Sequence, residues 1–304
     1  MNCRRQHIVL GLIGVASATL IMAWVCRSRE PRYQGKPLSF WVKEMNYPNN
    51  SLAARKAIRE IGPDGIPFLV GAARSEDSMF RRIYRSAWPN LPAAVQRKFP
   101  KPETGIEGLS RIAHVYAEIG PAAIPALTRQ FHDPDGGVRV NALNALNWMN
   151  GDKSSAVPAV IEALTNSEAG LKTRIPTHLP MVKRAAMTVL GQIGPQARSA
   201  LPELTKLLAY TNAYVRVQAT VALWRITRDD HYANLLITDF KKTDDAEIVG
   251  RLLEAFGEIG AIVALPAIRE KFRGKALTSA ALDAIGKIDP DALYRFNSPS
   301  PAKF

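Results

Sequence analysis

Seven apolar segments of the chain repeat one pattern of hydrophobic positions. Each segment closes on an isoleucine or methionine, with a large apolar residue three positions earlier and a small apolar residue four positions earlier. A further apolar residue stands seven positions before the close. These positions lie on one side of a helix with about 3.6 residues per turn, so each segment predicts a helix with one buried stripe. The closing residues are Ile61, Ile119, Met149, Ile193, Ile226, Ile259 and Ile288.

The residues between these segments predict one further helix in every repeat. Gly-Pro follows Ile61, Ile119 and Ile193, which places glycine just after one helix and proline at the start of the next. Another apolar run then follows, as at Leu201–Leu204. Each repeat is therefore predicted to be two antiparallel helices, and no alternating pattern typical of strands appears. We expect an all-α fold, an α-solenoid of about seven helix pairs.

The spacing of the closing residues also predicts the domain organisation. The repeats are expected to occupy residues 36–289. Two intervals between closing residues exceed one repeat, and we place insertions there, at 78–102 and 166–180. Insertions in a solenoid become loops on one face, often the binding face. Residues 27–35 are expected to be a linker, and residues 290–304, with their three prolines, a flexible tail.

A membrane segment is predicted close to the N-terminus. Residues 1–7 carry Arg4 and Arg5, and Ile8–Cys26 then runs for 19 residues without a charge. As a helix this run is about 28 Å long, close to the thickness of the apolar core of a bilayer. We expect one transmembrane helix that is retained as a signal anchor. Cleavage of the segment and lipid attachment at Cys26 are the alternatives.

Two rules disagree about the side of the membrane on which the body lies. More Lys and Arg follow the segment than precede it, which by the positive-inside rule would keep the body in the cytoplasm. A short basic start before an apolar run is instead typical of export, and large domains translocate largely regardless of charge. We predict a single-pass inner-membrane protein whose body is exported to the periplasm or cell surface, with the cytoplasmic orientation as the alternative.

About half of the net charge of +13 lies in the first insertion. Residues 78–102 contain six Lys and Arg and no acid, with aromatic residues between them. One interpretation is an amphipathic helix that packs its aromatic side on the repeats. The other is a surface for an anionic partner. The candidate partner-binding residues here are Arg81, Arg82, Tyr84, Arg85, Trp88, Arg97, Lys98 and Lys101.

Two weaker groups of candidate binding residues lie in the repeats. Arg139, Lys183 and Arg216 stand ten residues before their closing residues and could form a basic ladder, or pair with turn acids and neighbouring carbonyls. Trp148 and Trp224 replace the polar or small residues of the other rows. Exposed, they would suit a binding groove. Buried, they would fill gaps between repeats.

Residues for catalysis or metal binding are nearly absent. The five histidines are scattered without a pair at i and i+4, so no metal constellation is visible. Both cysteines, Cys3 and Cys26, lie near the N-terminus, which excludes a disulfide framework in the body. Neither a glycine-rich phosphate loop nor a nucleophile elbow is present. We therefore predict no catalytic residue, no cofactor and no metal.

The repeats resemble a known family. The run from His132 to Arg139 and the start Tyr214-Val215-Arg216 look like the second helix of HEAT repeats with its Asp-rich turn. The short repeat is similar to the bacterial variety grouped with phycobilisome-lyase-type repeats. Tyr33–Trp41 resembles the lead-in of exported bacterial HEAT proteins, where it forms the first helix of the first repeat. The resemblance spans roughly Gly35 to Asp289 and implies a binding scaffold.

These observations predict a non-enzymatic, membrane-anchored scaffold. Its concave face and basic insertion would bind a protein or an anionic envelope component, such as lipid headgroups or an acidic polymer, while Ile8–Cys26 holds it in the membrane. Nucleic acid is not an expected partner, because export would separate the protein from DNA. The alternative is an enzyme of the HEAT-like class, either a basic DNA glycosylase or a bilin lyase, which attaches chromophores to phycobiliproteins.

Overall fold

The computed structural model describes residues 30–45, 51–76, 86–90, 92–97, 105–166 and 178–293. These residues are mostly helical and divide into two units, one reaching to Ala126 and the other beginning at Leu127. The helices are α1 (Leu38–Glu44), α2 (Ser51–Ile61), α3 (Ile66–Glu76), α4 (Ala93–Gln96), α5 (Gly105–Ile119), α6 (Ile124–Gln130), α7 (Gly136–Trp148), α8 (Val157–Thr165), α9 (His178–Ile193), α10 (Leu201–Lys206), α11 (Ala213–Thr227), α12 (Asp230–Lys242), α13 (Ala246–Ile259), α14 (Leu265–Lys271) and α15 (Ser279–Ile288).

A small hairpin, which the sequence pattern does not predict, precedes α1 in the first unit. Strand β1 (Arg32–Tyr33) pairs antiparallel with β2 (Lys36–Pro37). Gln34 and Gly35 form the turn with φ of 48° and 75°. Two successive positive φ values give the turn whose twist matches that of a two-stranded hairpin. Strands of two residues are too short to show alternation, which is why the pattern misses them.

The first unit is held together by buried stripes and by one ion-pair cluster. Leu38 of α1 and Ile58 of α2 are fully buried. Helices α2 and α5 lie side by side. Glu118 of α5 forms ion pairs with two arginines of α2, with Arg55 Nη1 2.7 Å from Oε1 and Arg59 Nη2 2.8 Å from Oε2. Glu118 is only 12% exposed, so this carboxylate is screened less than a free surface one.

In the second unit the helices formed by the repeated apolar segments pack side by side. We call them the second helices, and the helix that precedes each of them in the chain the first helix of its repeat. Helix α9 contacts α7 and α11, and α13 contacts α11 and α15. The predicted stripe is buried, as in α11, where Ala219, Leu223 and Ile226 are inaccessible to solvent. The first helices α8, α10, α12 and α14 pack against this row or against each other. Each second helix therefore has one side in the core.

Small residues set the distance between neighbouring second helices. A Cβ atom at Gly191 of α9 would lie 3.2 Å from Ala222 Cα of α11. At the equivalent position of α13, a Cβ at Gly257 would lie 3.4 Å from Ala284 Cα of α15. Backbones can approach this closely only where side chains are absent. The same contact recurs because glycine stands two residues before Ile193 and again two before Ile259.

Side-chain caps define where the second helices begin. Asp245 precedes α13, and its Oδ1 accepts hydrogen bonds from the backbone N–H groups of Glu247 at 2.9 Å and Ile248 at 3.1 Å. Asn212 caps α11 in the same way. A helix leaves its first N–H groups without partners, and such a side chain satisfies them.

Replacing Asp245 with alanine is expected to lower the free energy of unfolding by about 1 kcal/mol, because the cap is lost. Urea titration of the full chain, followed by far-ultraviolet circular dichroism, measures the change. Asp244→Ala is the matched control, because Asp244 is fully exposed and only pairs with Lys271 at 3.4 Å. Equal destabilisation by the two variants would contradict the cap.

The predicted insertions and tail fall largely outside the described residues. Helix α9 begins at His178, inside the predicted insertion 166–180, and 167–177 are not described. Of the predicted tail, only residues up to 293 are described, and there Ala292 is 3% exposed and belongs to the core. The start of the predicted tail is therefore packed against the last repeat.

Candidate ligand-binding face

A cluster of cations around one tyrosine lies on the open side of three successive second helices. Arg184 of α9 donates a hydrogen bond from Nη1 to the Tyr214 hydroxyl of α11 at 3.3 Å. From the other side, the Arg251 guanidinium carbon of α13 lies 5.0 Å from the centre of the Tyr214 ring. We call Arg184, Tyr214 and Arg251 the cation–tyrosine cluster.

The two arginines of the cluster differ in their counter-charges. Arg251 Nη1 lies 3.1 Å from Glu254 Oε2, and this hydrogen bond raises the pKa of Arg251, with a further contribution from the carboxylate of Glu247. Among the described residues, Arg184 has no carboxylate within 4.0 Å and makes only the neutral contact with Tyr214. No carboxylate of the described residues therefore neutralises the exposed guanidinium of Arg184.

An exposed apolar side chain accompanies these charges. Met181 of α9 is 38% exposed. It stands twelve residues before Ile193, the same repeat position that Tyr214 occupies before Ile226. Equivalent positions on neighbouring helices lie side by side when the helices pack in register. The face therefore offers apolar and aromatic surface together with a free cation.

Ion pairs neutralise the opposite end of the same face. Arg225 Nη2 of α11 lies 3.3 Å from Glu258 Oε2 of α13. On α15, Lys287 Nζ lies 2.7 Å from Asp283 Oδ2, and this hydrogen bond raises the pKa of Lys287.

Arg139 and Arg216, two of the three residues of the expected basic ladder, donate hydrogen bonds to backbone carbonyls. Arg139 is 5% exposed and donates from Nε to the Asp133 carbonyl at 2.5 Å, and burial lowers its pKa. Arg216 Nη1 donates to the carbonyls of Tyr210 at 2.7 Å and Thr211 at 2.8 Å. Both arginines tie a helix start to the preceding turn, which is the second of the two interpretations of this column.

The remaining ladder and tryptophan positions have mixed surroundings. Lys183 Nζ lies 5.4 Å from the Tyr210 ring centre. Trp148 is 39% exposed at the end of α7. Trp224 is half-buried, packs against the core of the last repeats and has the Arg228 guanidinium 4.6 Å from its ring. A role in partner binding stays a prediction for all three positions.

Most of the basic insertion lies outside the described residues. That applies to Arg81, Arg82, Tyr84, Arg85, Lys98 and Lys101. Trp88 begins the 3₁₀ turn Trp88–Asn90 and is half-buried, whereas Arg97 is exposed and donates from Nε to the Ala93 carbonyl at 3.3 Å. These residues belong to the first unit and the cation–tyrosine cluster to the second. Partner binding by the insertion stays a prediction.

A cleft of about 260 Å³ opens beside Arg139. His132 and Glu162 line it, with His132 Nε2 and Glu162 Oε2 3.6 Å apart. In the described part of the chain no group of three His, Cys, Asp or Glu side chains could hold a metal ion. The cleft has the size for a small polar molecule, but its arginine is already used by backbone carbonyls.

Arg184, Tyr214 and Arg251 do not stand out as a group in the sequence. Their distances to the closing residues differ, being nine, twelve and eight positions. They therefore do not form a column in an alignment of repeats. The available signal is the helical angle: all three positions fall on the side away from the buried stripe.

No known family profile matches the chain. The chain is 30% identical over 165 residues to the phycocyanobilin lyase subunit alpha of Picosynechococcus sp., a stretch that covers 54% of this chain and 60% of that subunit. The chain thus spans about three fifths of the length of this relative. It is 27% identical over 241 residues to the subunit of the same name from Nostoc sp., covering 74% of this chain and 84% of that subunit.

Among solved structures, the chain is similar to one chain of the complex of CpcE and CpcF of phycocyanin lyase from Nostoc sp.. The TM-score is 0.47 with 20% sequence identity, and the likeness covers 86% of this chain and 97% of that one.

The similarity to lyase subunits contradicts the function that was expected from the sequence pattern. A non-enzymatic, membrane-anchored scaffold is the wrong expectation, because the similar proteins are subunits of a lyase. The periodicity of the apolar residues predicts the helical repeat, but neither periodicity nor charge indicates whether a repeat protein is part of a lyase. Envelope components likewise find no support as partners, and the similarity favours the bilin-lyase alternative.

The expected localisation, an inner-membrane protein with an exported body, is wrong by the same similarity. Across the described residues, every helix is too short or too polar to cross a bilayer. The segment on which the expectation rested, Ile8–Cys26, lies outside the described residues.

Proposed function

We propose that the chain is a subunit of a bilin lyase-type enzyme, acting on an open-chain tetrapyrrole. The observation that carries this proposal is the similarity to two phycocyanobilin lyase alpha subunits, which in one of them extends over 241 residues. The second unit supplies a suitable surface, with the exposed side chains of Met181 and Arg184 beside the half-buried ring of Tyr214. No nucleophile is required of such a surface if its task is to hold and present the chromophore.

The lyase proposal implies a protein partner. The relatives are named as alpha subunits, so we infer that this chain also works beside a second subunit and an acceptor protein. Helical repeats suit this task because their exposed helix sides form extended binding surfaces. Trp148, at the end of α7, is 39% exposed and would be available for such a contact.

We also propose that the second helices of the second unit stack in the HEAT manner. The supporting geometry is the close approach of Gly191 to Ala222 and of Gly257 to Ala284, at equivalent positions in two repeats that are separated by one other repeat. The total of about seven helix pairs stays a prediction.

Titration of the full chain into phycocyanobilin tests the function. The free chromophore is flexible, so binding is expected to change its long-wavelength absorbance saturably, at one bilin per chain. The same titration with the chain unfolded in urea is the control for unspecific adsorption. Absence of a saturable change with the folded chain would contradict the proposal.

A second measurement addresses attachment. A phycocyanin apo-subunit and phycocyanobilin are incubated with a second lyase subunit, with and without this chain. We expect covalently bound chromophore, visible on a denaturing gel, to accumulate faster when the chain is present. Equal rates would restrict its role to binding.

A further inference from the structure

The geometry points to the cation–tyrosine cluster as the binding site for a carboxylate of the bilin, with Arg184 as the carboxylate-binding residue and the Tyr214 ring as the stacking surface. This inference rests on the proposed function and deepens it, because it assigns a site to the chromophore. Neither the similarity to lyase subunits nor the repeat pattern identifies these residues.

The first argument is the unused donor capacity of Arg184. A guanidinium has five N–H groups in one plane, and it binds carboxylates through two parallel hydrogen bonds. The described contacts of Arg184 use a single Nη1 hydrogen bond, to the neutral hydroxyl of Tyr214. That bond orients the guanidinium without neutralising it. A ligand carboxylate would therefore find a charged and partly immobilised partner.

The second argument is the arrangement around the Tyr214 ring. The ring is half-buried, and Arg251 stands against it at 5.0 Å while being held by Glu254 at 3.1 Å. The three side chains come from three neighbouring helices, and close backbone contact at Gly191 sets the spacing of two of them, α9 and α11. The contact between Arg184 and Tyr214 is therefore preorganised. Exposed Met181 adds apolar surface at the equivalent position of α9.

The third argument is the chemistry of the ligand. A bilin joins conjugated pyrrole rings to two propionate groups, and it therefore needs both an anion-binding donor and a flat apolar contact. Guanidinium groups and tyrosine rings supply these two functions. An acidic peptide would match the charge of Arg184 but would leave Tyr214 and Met181 without a conjugated partner.

Phycocyanobilin and its dimethyl ester serve as matched probes of the full chain. We expect the free acid to bind about tenfold more tightly than the ester, because esterification removes the carboxylate charge. Arg184→Gln is expected to weaken binding of the free acid by about tenfold and to leave ester binding unchanged. The two changes should not add, because they remove the same contact.

Arg198→Gln is the matched control. Arg198 is exposed in the same unit, and its replacement removes the same charge away from the cluster. It should bind both probes as the parent chain does. Circular dichroism spectra establish that the variants are folded, and the comparison of acid with ester on the parent chain needs no variant at all.

The outcomes separate this inference from the proposed function. Equal affinity of the parent chain for acid and ester, or unchanged acid binding by Arg184→Gln, would overturn the assignment of the cluster and leave the lyase function standing. Failure of the parent chain to bind either probe would overturn both. A loss confined to the acid and to Arg184→Gln supports the site.

Discussion

Replacing Phe256 with alanine is expected to lower the free energy of unfolding of the second unit by about 3–5 kcal/mol. Phe256 is fully buried in α13, and its ring packs edge-to-face against Phe240 of α12 at 5.3 Å. The substitution removes this aromatic pair and leaves a cavity between the first and second helix of one repeat. Urea titration of the full chain, followed by circular dichroism, measures the loss.

A neighbouring apolar residue provides the control for Phe256. Ile262 follows α13 and is 67% exposed, so Ile262→Ala should change stability by no more than about 0.5 kcal/mol. Similar losses in the two variants would mean that burial of Phe256 contributes little. Hydrogen exchange in α12 and α13 localises the effect.

Replacing Gly191 with leucine is expected to destabilise the second unit by about 1–3 kcal/mol and to weaken bilin binding at the same time. A Cβ at this position already lies 3.2 Å from Ala222 Cα and 3.3 Å from Arg225 Cδ, so a larger side chain must push α9 and α11 apart. Separation of these helices lengthens the contact between Arg184 and Tyr214. Thermal unfolding and the phycocyanobilin titration record the two effects.

Gly250 provides a control of opposite sign. It lies in the interior of α13, and a Cβ there would meet nothing within 4 Å. Gly250→Ala should therefore stabilise the chain by roughly 0.5–1 kcal/mol through its higher helix propensity. If Gly191→Leu matched the parent chain in stability, close packing of α9 on α11 would be contradicted.

The residue pattern of this chain cannot distinguish a binding scaffold from an enzyme, and the reason is physical. Apolar stripes and glycine-proline junctions report only how helices pack, and the same packing serves binding scaffolds and enzymes alike. The sequence shows no metal-ligand or nucleophile pattern that could have signalled an enzyme. The contact between Arg184 and Tyr214 is visible only in the structure. The proposed lyase function therefore rests on sequence similarity to lyase subunits and not on the residue pattern.

The column of arginines shows that a residue can recur in register for a structural reason, while its role in partner binding stays a prediction. Arg139 and Arg216 recur in register, which suggested a basic ladder, yet both donate to backbone carbonyls of the preceding turn. Recurrence in this case reflects a need that every repeat shares, namely to satisfy the turn. Arg184 and Arg251 do not recur in register, and they face the open side with Tyr214 between them.

The helical repeats of this protein, and the side of each repeated helix that is buried, can be predicted from the residue pattern, because both follow from local periodicity and from the conformational limits of glycine and proline. The cation–tyrosine cluster was decided by tertiary structure alone. Arg184 and Tyr214 are 30 residues apart in the chain and meet because small residues let α9 and α11 pack closely. Contact between distant residues depends on how helices pack in three dimensions, and no local pattern records it.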